Sequence, residues 1–73
     1  MVSTQKELIH MQIRLFRMAC KRWQLDNHAC ADIFDRYGLD DYIEISHGIF
    51  HVQGDDANFA DLTEYARMKG AKV

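Results

Sequence analysis

Glu44, His47 and His51 are the residues whose types and spacing come nearest to chemistry in this chain. On one continuous helix they would share a face at i, i+3 and i+7, and a carboxylate with two imidazoles suits zinc or a similar ion. Gly48, between the histidines, weakens such a helix, and neither His10 nor His28 is placed as an obvious fourth ligand. Three-ligand spacings arise readily on short acidic helices, so an exposed polar face is the preferred reading. No metal or cofactor is expected, and metal binding through Glu44, His47 and His51 is the lesser alternative. His51 beside Asp55 or Asp56 could act as a general base, yet nothing identifies a substrate for it. Cys20 and Cys30 fall inside helical patterns and read as small buried hydrophobes. No serine stands in a nucleophile-elbow context, and no glycine-rich phosphate loop is present. A chain of 73 residues also leaves little room for a substrate cleft. Enzymatic activity is therefore not expected.

The histidines sit in the stretch from Gly48 to Asp56, where two glycines, an imidazole and a carboxamide interrupt an otherwise helical pattern. Thr4 and Glu7 have the spacing of a capping box, which predicts a long first helix over about 4–24. Its apolar face holds Leu8, Leu15, Phe16, Ala19 and Trp23, flanked by Ile9, Ile13 and Cys20 on one side and by Met11 and Met18 on the other. So wide a sector predicts a central helix contacted from two directions. Gln12 lies within it and is expected to bond a neighbouring helix end.

Asp26 is a good N-cap for a second helix carrying Cys30, Ile33, Phe34 and Tyr37 at i, i+3, i+4 and i+7. Gly38 sits where a C′ glycine belongs, with Leu39 closing a Schellman turn. Asp40 then caps a short third helix bearing Tyr42, Ile43, Ile45 and Ile49. Asn58 with Asp61 can cap the last helix, which Gly70 ends; Asp55 or Asp56 would start it a turn earlier. The expected fold is all-α, one domain over residues 1–73, a compact bundle of about four helices with one long and three short. An extended piece over 49–53, pairing with a second chain, is the alternative for the break.

A net charge of −2 conceals a segregation. Residues 1–25 carry five cations, Lys6, Arg14, Arg17, Lys21 and Arg22, against Glu7 alone. Residues 26–65 carry ten carboxylates against Arg36 alone, and the tail is basic again. Helix macrodipoles account for part of this. The remainder is an acidic middle suited to a basic partner or to the first helix of another copy.

Residues 29–48 could pass for a helix-turn-helix with Gly38 in the turn. Its second helix, however, opens with Asp40-Asp41 and carries Glu44, which would repel phosphate. Nucleic-acid binding is thus the alternative, and protein binding the main expectation. The surface expected to carry it joins Phe50, His51 and Gln53 to an acidic flank of Asp40, Asp41, Asp55 and Asp56. Homodimerisation is also expected as an option. No apolar run approaches the roughly 20 residues of a membrane span. The first residues lack the basic-then-apolar order of a signal peptide, which points to the cytoplasm.

Asp41-Tyr42-Ile43, Phe50-His51-Val52-Gln53-Gly54, Asp61-Leu62 and Tyr65 resemble a family of short bacterial proteins classed as a domain of unknown function. The first helix and the segment from Cys30 to Tyr37 are similar in pattern only. The resemblance implies an all-helical protein of the kind often encoded beside proteins resembling ADP-ribosyltransferases, as in toxin–antitoxin pairs. It implies a small partner or neutraliser with no chemistry of its own. Within that pattern His51, Gln53 and Gly54 match, whereas Glu44 and His47 do not. His51 is accordingly expected to tie the turn together by hydrogen bonds, to Asp61 or to a helix end.

Overall fold

The computed structural model describes residues 3–73, with side chains from residue 5 onward. Five helices follow one another: α1 (Ser3–Arg22), α2 (Asn27–Tyr37), α3 (Leu39–Ile45), α4 (His47–Gln53) and α5 (Asp55–Lys69). No strand occurs among the described residues. The fold is all-α as expected, with five helices rather than four. The Thr4 side chain expected to cap α1 lies outside the described residues.

Chain termination chemistry sets most of the helix boundaries. Gln24 takes φ +58° after α1, and the Leu25 N–H reaches back to the Cys20 carbonyl at 3.0 Å, a Schellman closure built without glycine. Asp26 caps α2 as expected, its carboxylate accepting from the Ala29 N–H at 2.7 Å. Gly38 ends α2 in the left-handed region, with its N–H on the Phe34 carbonyl. That single bond makes an αL cap, beside which Leu39 is fully buried. Gly38 is also the residue preceding α3, so Asp40 lies in the first turn of α3 rather than capping it. Gly70 ends α5, where the Ala71 N–H bonds the Ala66 carbonyl at 2.9 Å.

The unexpected boundary is Ser46. Its N–H still bonds the Tyr42 carbonyl at 2.9 Å and its carbonyl receives the Phe50 N–H at 2.8 Å, but α3 stops before it and α4 starts after it. The expected third helix is thereby two, with Ile45 on the first and Ile49 on the second. Gly48 lies inside α4, so residues 49–53 are helical and the extended alternative fails. Tertiary packing overrides the weak helix propensity of glycine there.

α1 packs against α2, α3 and α5, the central position expected of it. Its buried ridge is Met11, Leu15 and Ala19 at i+4 spacing, which joins Cys30, Phe34, Leu39, Ile43, Phe50, Phe59, Leu62 and Ala66 in one core. This ridge is rotated toward the methionine side of the expected face, leaving Ile9 48% and Ile13 44% exposed. Each large side chain buried here contributes about 1.5–3 kcal/mol. Trp23 closes the far end of the core. Its ring lies 6.2 Å from Phe34 and 5.6 Å from Phe59, and its indole N–H donates to Thr63 Oγ1 at 3.2 Å. Both cysteines are free thiols. Burial, followed by the neighbouring Cys20, pushes the Cys30 thiol up to about 12, so it stays protonated and inert as expected of a core hydrophobe.

Two backbone positions make opposite predictions. Gln24→Gly relieves a left-handed side-chain conformation and should raise stability by about 1 kcal/mol. Gly54 has φ +96° and ψ 150°, a region essentially confined to glycine, so Gly54→Ala should cost about 1–3 kcal/mol although the space beside it is open. Urea unfolding midpoints of the two variants check both signs.

Candidate functional site

The joint between α4 and α5 is held by amides. Asn58, fully buried in the first turns of α5, donates from Nδ2 to the Phe50 carbonyl at 2.9 Å. Its Oδ1 accepts from Gln53 Nε2 at 2.9 Å, and the same Gln53 nitrogen donates to Asp61 Oδ2 at 3.1 Å. Asn58 therefore ties off an open carbonyl near the end of α4 rather than capping α5, which starts at Asp55. His51 is exposed and takes no part in this network. The tie expected of His51 is made by Gln53 to Asp61 and by Asn58 to the helix end.

The other residues expected at a binding surface divide between interior and exterior. Phe50 is 3% exposed and packs edge-on against Tyr42 at 5.9 Å, so it belongs to the core. Gln53 is partly buried and engaged. Asp55 accepts from Arg14 through both oxygens, at 3.0 and 3.4 Å, and Asp56 accepts from Arg22 at 2.9 Å. Two carboxylates of the expected acidic flank are thus paired with the chain's own basic first helix. Asp40 and Asp41 remain exposed in the first turn of α3, with Glu44 following. Part of the Asp40 carboxyl is shielded from water, and that desolvation, followed by the Asp41 charge, pushes it up from the ordinary carboxylate range. Gln12 meets its expectation, donating to the Asp40 carbonyl at 3.1 Å.

The outer side of α3 and α4 is more apolar than expected. Ile45, Ile49 and Val52 are 83%, 64% and 80% exposed at i, i+4 and i+7. Within α4, at about 100° per residue, Ile49 and Val52 lie opposite His47 and His51, while Ile45 ends α3 just before the break. The two histidines instead turn toward α1, their rings 5.8 Å apart. There Glu7, His47 and His51 bring one ligand atom each within 4.8 Å of one another. Glu44 is not part of this group. The donor expected from α3 is replaced by one from α1, forty residues before His47 and invisible to any local spacing. The group borders a cleft of about 410 Å³ between α1, α4 and the Gly54 joint.

Asn58→Ala strands the Phe50 carbonyl and frees one Gln53 contact, and should lower stability by about 1–3 kcal/mol. His51→Ala should change it by less than about 0.5 kcal/mol, as for an ordinary exposed side chain. Denaturant titration of both variants separates the amide joint from the imidazole.

No helix among the described residues is long and apolar enough to cross a membrane. Neither a curated protein nor a solved structure matches the chain. A family model does, over residues 10–69, and its description is protein of unknown function, DUF3791. The matched span runs from the third turn of α1 to the end of α5 and takes in the Gln53–Asn58–Asp61 joint. The chain therefore belongs to the DUF3791 family of proteins of unknown function.

Proposed function

We propose that this protein is a small, non-enzymatic binding module whose partner is another protein. The observation that carries the reading is the row of Ile45, Ile49 and Val52, three large aliphatic side chains left mostly in water on two adjoining short helices. Single exposed apolar residues are ordinary, whereas a spaced row is the usual core of a contact surface. Asp40, Asp41 and Glu44, all exposed residues, precede the row. The partner that fits is a protein with an apolar patch bordered by basic residues. An antitoxin-like neutraliser of an ADP-ribosyltransferase-like bacterial protein, acting in the cytoplasm, is the specific form we propose.

Nucleic-acid binding is the second reading, and it rests on the exposed Arg17 and Lys21 of α1. Arg14 and Arg22, which would complete such a patch, are held by Asp55 and Asp56. The pairing favours the protein partner, because a neutralised guanidinium has less charge to offer a phosphate.

The test is affinity capture by the tagged protein of ADP-ribosyltransferase-like proteins from its native host, with bound material assayed for nucleic acid. One stoichiometric protein is expected on the wild type. It should be lost from the Ile49→Asp/Val52→Asp double variant while the melting temperature stays unchanged. Retention of salt-eluted DNA or RNA instead, or of a second copy of the chain alone, would overturn the reading.

A further inference from the structure

We propose that Glu7, His47 and His51 bind one divalent transition-metal ion of the zinc class, bridging the start of α1 to α4. His47 and His51 stand one helical turn apart, at i and i+4, so their imidazoles project from the same side of α4. Glu7 enters from α1, and the three donor atoms lie within 4.8 Å of one another. Metal bonds of about 2.0–2.1 Å would set tetrahedral donors about 3.4 Å apart. The remaining distance is at most about 1.4 Å, and Glu7 and His51 are both exposed and have room to close it.

A second observation points to a ligand independently of that convergence. His47 Nε2 is buried and has no hydrogen-bond partner among the described residues. A buried imidazole nitrogen left unpaired costs about 1–3 kcal/mol, and coordination of its lone pair to a cation removes that cost. The local charge also suits a cation. Arg14 lines the same cleft, but its guanidinium is bound to Asp55 at 3.0 Å, and among the described residues no cation pairs with Glu7 beside the imidazoles.

Two imidazoles and one carboxylate are borderline ligands that favour zinc over magnesium or calcium, which prefer oxygen donors alone. Three protein ligands leave a fourth position open on the cleft, for water or for His10, which lines it. The site would also staple a small fold, joining α1 to a seven-residue helix that otherwise depends on its packing. This metal site does not rest on the protein-binding reading, because Ile49 and Val52 occupy the opposite side of α4.

Isothermal titration of metal-stripped protein with zinc chloride tests the site, with melting temperature as the second readout. One equivalent per chain and a rise in melting temperature are expected for the wild type. Glu7→Gln and His51→Ala, at exposed positions that the fold does not need, should each weaken zinc binding at least about 10-fold. Both should also lose the zinc-dependent rise while keeping the metal-free melting temperature. Absence of saturable one-to-one binding by the wild type would overturn the proposal. So would a Glu7→Gln variant that binds zinc as tightly as the wild type, because the histidine pair would then act without α1.

Discussion

The fold depends on one buried amide. Asn58 is the only polar residue among the fully or nearly fully buried ones described, and both ends of its carboxamide are matched, one by the Phe50 carbonyl and one by Gln53. A buried amide without partners would be a net cost, so the chain can keep it there only in the single arrangement that satisfies it. That arrangement fixes where α4 ends relative to α5. Gly54 makes the reversal of direction possible, and Asn58 makes it unique. Everything α4 presents to its surroundings, the histidines toward α1 and the aliphatic row away from it, inherits its position from this joint.

Ion pairing plays a smaller part of a similar kind. Arg14 and Arg22 of α1 reach Asp55 and Asp56 in the first turn of α5, where carboxylates already sit favourably against the helix dipole. Each pair is exposed and contributes at most about 1 kcal/mol. Their value lies in register, because two charges on α1 match two at the start of α5. Part of the segregation of charge along the sequence is therefore answered within one molecule. The basic start of the chain meets part of its acidic middle, and among the described residues no cation pairs with the carboxylates of α3.

Local signals in the sequence identified the elements that local chemistry governs. Asp26, Gly38 and Gly70 bound α2 and α5 through contacts within a few residues, and each stands where its residue type implied. The split at Ser46 left no comparable signal, because no glycine or proline marks it and the hydrogen bonds on either side of Ser46 remain helical. Gly48 and Gly54 look alike in sequence, yet only Gly54 needs a backbone that other residues avoid. Asn58 shares a stripe with Leu62 and Ala66, a spacing that places it in the core, but its residue type spoke for a cap. The histidines were legible as a pair. Glu7 was not, since nothing local relates it to residues about forty positions away.

Phe50 is the one fully buried side chain α4 contributes to the core, and Gln53 the one it lends to the amide joint. The remaining positions of this helix bear little of the fold's stability. Selection on folding alone would leave Ile49, Val52 and their neighbours nearly neutral, while anchoring Phe50, Gly54 and Asn58. The outer face of α4 can therefore drift quickly in composition without passing through unfolded intermediates. A lineage could retune what that face recognises one substitution at a time, on a scaffold that does not register the change.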